Sequence, residues 1–135
     1  MSISPGLIGE MHFVVQPSDT ASAVGGSNFP PVLSTPHLVG LLETTAHRAI
    51  QPFLDEVSQS SVGSLINIKH LAATPVGMQI RIRVELLAVD GRKLRFNVEA
   101  WDEIEKISEG EHERFIIDSV RFTESVEKKQ QAGEN

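Results

Sequence analysis

Four places in the chain have residues that could take part in chemistry. They are Thr35 with Glu43, Gly63, His70 and the run His112-Glu113-Arg114. Each also has an ordinary structural explanation, since a threonine can cap a helix and a helical glutamate can reach water from a rim. A histidine on an apolar strand face is usually a structural residue, and a strand arginine usually faces solvent. Taken singly, none of these residues indicates an enzyme.

Other kinds of site have weaker support. The five histidines show no HxH or HExxH spacing, so we predict no metal site, although Glu43 and His47 four residues apart could form half of one. The pair Gly25-Gly26 lacks the continuation of a phosphate-binding loop. The chain also has no Gly-x-Ser-x-Gly motif, which together with its length excludes an α/β-hydrolase.

Composition limits the class of protein. With 135 residues and 40% hydrophobic residues, the chain fits one globular domain with a buried core. The formal charge of -6 argues against nucleic acid as a partner. The absence of cysteine suits a reducing compartment. Neither a secretory signal nor a membrane span is apparent, so we predict a cytoplasmic protein without a membrane partner.

The strongest helix signal lies between Ser34 and Pro52. Ser34 or Thr35 can cap the helix and Pro36 suits its first position, so we predict a helix from Pro36 to Gln51. Its apolar residues cover about half of the circumference, which is wider than a narrow seam and indicates a broad, curved sheet as the packing partner. Glu43 falls at the border of this apolar arc. The apolar positions are Leu38, Val39, Leu41, Leu42, Ala46, Ala49 and Ile50.

A period of two predicts antiparallel strands after this helix. One strand is also predicted before it. The segment from Gln79 to Leu86 alternates most cleanly, and Asp90-Gly91 is typical of the hairpin that would follow it. The predicted strands are 9–16, 64–71, 79–86, 94–100 and 107–118, the last with a possible continuation through 119–123.

These elements predict an α+β fold in which one long helix packs against an antiparallel sheet. We predict a single domain over residues 1–123 and a polar, disordered tail over residues 124–135. A homodimer is expected, because joining the sheets of two copies would cover exposed edge strands.

Several separated blocks resemble the fluoroacetyl-CoA thioesterase subgroup of the hotdog-fold thioesterases. The similarity covers roughly Pro31 to Ile117, and the blocks agree in order and spacing. They are Thr35-Pro36-His37-Leu38-Val39-Gly40-Leu41-Leu42-Glu43, Gly63-Ser64-Leu65, His70-Leu71-Ala72-Ala73-Thr74-Pro75-Val76-Gly77, Val89-Asp90-Gly91-Arg92-Lys93-Leu94 and Gly110-Glu111-His112-Glu113-Arg114.

The resemblance implies a hotdog fold, with a long central helix wrapped by a curved antiparallel sheet, and a dimer with active sites between its subunits. It implies hydrolysis of a small acyl-CoA without a cofactor. The catalytic residues would be Thr35, Glu43 and His70. Substrate-binding positions would be Gly63, Arg114 and Phe29.

One departure concerns acyl selectivity. The subgroup carries two phenylalanines in the loop before its threonine, whereas this chain has Ser27 and Pro30 there, with Phe29 one position off. The resemblance therefore does not extend to fluoroacetyl selectivity. A hotdog enoyl-CoA hydratase and a non-catalytic acyl-CoA-binding protein remain alternatives.

For Glu43, the resemblance leaves two roles open, direct attack on the thioester or activation of a water. Coenzyme A carries phosphates, so a local basic patch would be needed on this acidic protein. Arg81 and Arg83, which share one strand face, could form such a patch or simply face water.

Overall fold

The computed structural model describes residues 2–134. It contains one five-stranded antiparallel sheet, in the order β1-β3-β4-β5-β2, with the long helix α2 on one face. The predicted α+β architecture is confirmed. The elements are β1 Ile8–Val14, α1 Ala21–Gly25, α2 Thr35–Ile50, β2 Gln59–His70, β3 Gln79–Asp90, β4 Lys93–Trp101, β5 Lys106–Asp118 and α3 Ser119–Gly133.

The core lies between α2 and the central strands. Every second residue is buried from Ile80 to Leu86 in β3 and from Leu94 to Ala100 in β4, as the sequence alternation predicted. Removing this apolar surface from water is the main favourable contribution that holds α2 on the sheet. The fully buried side chains include Leu38, Leu42, Ala46 and Ile50 of α2, Ile82, Val84 and Leu86 of β3, and Leu94, Phe96 and Val98 of β4.

Strand β2 forms one edge of the sheet and pairs only with β5 among the strands of residues 2–134. Its register shifts between Gly63 and Leu65, so Ser64 is an extra residue in the ladder. Two apolar side chains near its middle remain exposed, Leu65 by 42% and Ile66 by 36%. The edge is therefore long, partly apolar and open to pairing.

The C-terminal segment differs from the prediction. Within residues 2–134, β5 ends at Asp118 and the helix α3 follows over Ser119–Gly133, where a strand to residue 123 and a disordered tail were predicted. Residue 135 of the predicted tail lies outside the described residues. The Asp118 side chain accepts a hydrogen bond from the Arg121 backbone N–H, and the following Glu, Lys and Gln residues favour a helix. None of the α3 side chains is buried, which explains why apolar periodicity did not reveal the helix. The predicted domain boundary at residue 123 falls inside it.

Gly110 allows β5 to approach β2 closely. A Cβ atom at this position would overlap the Asn67 carbonyl oxygen and lie 2.7 Å from the Ile68 Cα. These are backbone atoms of the paired strand, so they cannot move aside without opening the ladder.

We therefore expect Gly110→Ala to lower the free energy of unfolding by about 2 kcal/mol, as overpacking of an interior does. Urea denaturation measures this change. Gly40→Ala is the matched control, because a Cβ there meets no atom within 4 Å and alanine favours the helix. Equal stability of the Gly110→Ala variant and the wild type would contradict the prediction.

Candidate active site

The first turn of α2 brings Thr35 to His70. Ser34 is the N-cap, and its hydroxyl accepts a hydrogen bond of 3.1 Å from the His37 backbone N–H. Thr35 is consequently the first helical residue and not the cap, so its own hydroxyl is free for another partner. That partner is His70 at the end of β2, with 2.8 Å between Thr35 Oγ1 and His70 Nδ1.

His70 is held as a neutral imidazole. Burial lowers the pKa of His70 below its ordinary value of 6.5, and the Ala72 backbone opposes this shift only in part. The other ring nitrogen, Nε2, is buried and has no hydrogen-bond partner within residues 2–134. One side of the ring is therefore anchored by Thr35, while the other has hydrogen-bonding capacity to spare.

Glu43 lies against Gly63 and Arg114. A Cβ atom at position 63 would overlap the Glu43 carboxylate, so only glycine lets the carboxylate rest on β2 in this way. Glu43 Oε1 is 3.5 Å from Arg114 Nη1. The glutamate side chain is 39% exposed and that of the arginine only 8%, so the glutamate is the solvent-exposed partner of this ion pair.

Arg114 is anchored from behind by Ser61 and His112. Its Nε donates to Ser61 Oγ at 2.8 Å and its Nη2 to the Ser61 carbonyl at 2.9 Å. Its Nη1 lies 3.2 Å from His112 Nε2. Burial lowers the pKa of Arg114, and the Glu43 carboxylate opposes that shift. A buried guanidinium needs such partners to offset its lost hydration.

A further histidine joins this group from α2. His47 Nδ1 is 2.7 Å from Ser61 Oγ. Because that oxygen already accepts a hydrogen bond from Arg114, its own proton is available for His47. Burial, followed by the Arg114 and Arg48 charges, lowers the pKa of His47 and favours the neutral ring that can accept this proton.

The predicted residues thus fall into two groups, which we call the Thr35 group (Thr35 and His70) and the Glu43 group (Glu43, Gly63 and Arg114). No contact within residues 2–134 joins the two. Thr35 and Glu43 sit eight residues apart on one straight helix, which separates them by about 12 Å along its axis. A single chain cannot bring all three predicted catalytic side chains together.

Phe29 belongs to neither group. It lies in the loop after α1 with its ring against Gly25, the last residue of that helix, and it is 51% exposed. Its backbone N–H donates to the Gly26 carbonyl at 3.0 Å, which folds the loop back on itself. Its assignment as a substrate-binding residue therefore gains no support from a contact with either group.

Three residues around Glu43 are missing from the predicted catalytic and substrate-binding sets. Ser61 was not considered, His112 was named only within the run before Arg114, and His47 only as half of a metal site with Glu43. A signal for His112 was available, because it stands two residues before Arg114 and must share its strand face. Ser61 had no such signal, because it lies before the segment where alternation is clear. Within residues 2–134, the structure shows no cluster of three acidic or histidine side chains suited to a metal ion, and no helix long and apolar enough to cross a membrane.

One buried histidine, His112, and two half-buried ones, His47 and His70, predict a pH dependence of stability. Burial is the largest cause that lowers the pKa of His47, His70 and His112 from 6.5, so below pH 6.5 the unfolded chain binds protons that the folded protein does not. The free energy of unfolding should therefore fall as the pH drops from 7 to about 5. The lowered pKa values of Asp55 and Asp102 act in a separate, more acidic range, below 3.8.

Urea denaturation at a series of pH values measures this slope. The variant His112→Asn removes one of the three groups while its amide can still donate to the Leu65 carbonyl. It should give a shallower slope than the wild type. Stability that is constant or rises on acidification over this range would contradict the prediction.

Comparison with known proteins identifies the family. The family model for fluoroacetyl-CoA-specific thioesterases matches residues 15–120. A fluoroacetyl-CoA thioesterase from Streptantibioticus cattleyicolor is 39% identical over 107 residues, which cover 79% of this chain and 76% of that protein.

Solved structures agree with this match. A fluoroacetyl-CoA thioesterase structure superposes with a TM-score of 0.91 at 34% identity, covering 96% of this chain and 98% of that one. A thioesterase superfamily member from Thermus thermophilus gives 0.88 at 26% identity, with 98% and 96% covered. A hot-dog-like protein from Thermanaerovibrio acidaminovorans, at 20% identity and a TM-score of 0.85 over 94% and 93% of the chains, shares the fold. The chain therefore has the hotdog fold, belongs to the fluoroacetyl-CoA-specific thioesterase family and is a thioesterase.

Proposed function

We propose that this protein hydrolyses the thioester of a small acyl-CoA at a site that two copies of the chain complete together. The substrate class comes from the relatives, which are named for fluoroacetyl-CoA. The observation that carries the shared site is the separation of the Thr35 group from the Glu43 group on one rigid helix. Both groups rest on β2, which is an edge strand, so a second copy is the simplest source of the missing half.

Antiparallel pairing of β2 with its copy would supply that half. In such a pairing, the part of one strand that carries Gly63 runs beside the part of the other that carries His70. The Glu43 group of one subunit then approaches the Thr35 group of the other. The exposed Leu65 and Ile66 near the middle of the strand would be covered in the same step.

The chemistry of the combined site follows from its groups. Glu43 either attacks the acyl carbon or removes a proton from a water that attacks it. In both routes the C–S bond breaks and the CoA thiolate leaves. In the first route a water then hydrolyses the acyl-enzyme anhydride to the free acid and the Glu43 carboxylate, and the proton that water loses in either route goes to the thiolate. A backbone N–H of β2 near Gly63 is the candidate donor that stabilises the developing oxyanion. His70, anchored by Thr35, helps to orient the thioester.

The outer face of the sheet gives little support for a phosphate site at Arg81 and Arg83. Arg81 pairs with Glu10 at 3.3 Å and stacks on Trp101, while Arg83 pairs with Glu85 at 3.5 Å and Glu99 at 3.8 Å. These arginines are already neutralised by carboxylates. We therefore favour the interpretation that they form a solvated, ion-paired surface.

Mixing two inactive variants tests the shared site. Thr35→Ala and Glu43→Ala should each release thiol from short acyl-CoAs far more slowly than the wild type. After unfolding and refolding together, the mixture should regain about one quarter of wild-type activity, because half of the dimers are mixed and one of their two sites is intact. A mixture as inactive as its components, with mixed dimers shown by mass spectrometry, would overturn the shared site. Unaltered activity of Glu43→Ala would overturn the role of Glu43.

Gly63→Ala tests the contact between Gly63 and Glu43. The new methyl group would occupy the space of the carboxylate and force the glutamate side chain away from the thioester. We expect thiol release to fall by about tenfold or more, as when a catalytic group is misplaced by an ångström. Thermal unfolding should change little, because the atom that must move is the end of a flexible side chain. Gly133→Ala, where a Cβ meets open space, is the control, and equal activity of the two variants would contradict the prediction.

A further inference from the structure

The hydrogen bonds of Arg114 are distributed unevenly. A carboxylate usually accepts two short hydrogen bonds from an arginine, with donor–acceptor distances of about 2.7 to 2.9 Å. Here Glu43 receives one contact of 3.5 Å, while Ser61 and His112 receive three shorter ones. The buried guanidinium is therefore bound more closely to neutral acceptors than to the charged group beside it.

His112 can only accept a hydrogen bond from Arg114. Its Nδ1 lies 2.8 Å from the Leu65 carbonyl oxygen, which has no proton to give, so Nδ1 carries the ring proton. Burial, the largest cause, lowers the pKa of His112 and keeps the ring neutral. Its Nε2 consequently presents a lone pair to Arg114 Nη1. The strand carbonyl thus determines the orientation and tautomer of this acceptor.

Ser61 occupies the edge of the guanidinium that most readily grips a carboxylate. The Nε–H and Nη2–H bonds point in parallel and form a bidentate donor. Both are taken by Ser61, one by its hydroxyl and one by its carbonyl. His47 holds the hydroxyl from the other side at 2.7 Å. The contact with Glu43 is made by Nη1.

We propose that Ser61 and His112 are positioning residues that keep Arg114 from closing a two-point ion pair with Glu43, so that the carboxylate stays free to act on the thioester. This inference rests on the proposed function of Glu43. The charged and titratable groups around Glu43 are Arg114 and His112 from β5 and His47 and Arg48 from its own helix. The paired strand β2 contributes Ser61 and Gly63, which carry no charge.

Releasing Arg114 should therefore reduce activity by an electrostatic route. Without the Ser61 hydroxyl, the Nε edge can rotate toward Glu43 and shorten the ion pair. A closer guanidinium stabilises the ionised carboxylate, so Glu43 becomes a weaker base and nucleophile. A variant that merely loosened the fold would lose activity without this change in the carboxylate.

The test compares Ser61→Ala with Ser61→Thr, which keeps the hydroxyl, and with Ser60→Ala, the same change at the neighbouring position. For Ser61→Ala we expect kcat for a short acyl-CoA to fall about tenfold and the acid limb of the kcat/KM profile to move about 0.5 to 1 pH unit lower. Ser61→Thr should restore most of both, and Ser60→Ala should leave both unchanged. A fall in kcat with an unmoved acid limb would overturn the proposal.

A titration of Glu43 by carbon-13 NMR provides a readout that needs no turnover. The carboxyl pKa should be lower in Ser61→Ala than in the wild type, and an equal or higher value would overturn the proposal. If Ser61→Ala does not fold, His112→Asn serves instead, because asparagine is too short to accept from Arg114. Absence of thioesterase activity in the wild type would refute the proposed function, while this titration would still decide the positioning role.

Discussion

The rigidity of α2 is the constraint on which the rest of the site depends. Its apolar face is buried against the central strands, so the helix cannot bend or slide to bring its own residues together. Thr35 at its start and Glu43 about two turns later must each find partners on the strand beneath them. Thr35 meets His70, and Glu43 meets Gly63 and Arg114. One chain therefore carries two separate groups, which the proposed dimer would combine into one site.

The Glu43 half sits on a polar patch inside the sheet. Arg114 and His112 lie two residues apart on the same face of β5. Both are buried on the helix side of the sheet, where burying apolar residues would cost less free energy. Their hydrogen bonds to Ser61 and Leu65 offset this cost locally. Such a fully bonded group is stiff, because moving one member would leave a buried polar partner unpaired. A stiff guanidinium is suited to tuning a neighbouring carboxylate without trapping it.

Edge strand β2 links the fold to function. It carries Gly63 and His70, and it is also one of the two strands whose outer edge is unpaired within residues 2–134. Pairing of this edge with a second copy would complete the sheet and the site through the same hydrogen bonds. Assembly and activity are then coupled, which accounts for the incompleteness of the site in one chain.

The long helix and the inward faces of β3 and β4 were predictable from sequence, because their apolar residues repeat at unbroken periods of 3.6 and 2. The predicted site residues came from a resemblance to a family, and spacing alone explained only why Thr35 and Glu43 cannot touch. The sequence did not predict helix α3, because none of its side chains is buried.

Only the tertiary structure determined that Gly63 and His70 lie on the same face of β2. Gly63 and His70 are seven residues apart, an odd number that would place them on opposite faces of a regular strand. The extra residue at Ser64 reverses that alternation, so both positions pair with inward-facing residues of β5, Arg114 and Ser108. Such a bulge depends on the register with a neighbouring strand more than forty residues away in the chain, which local sequence does not specify.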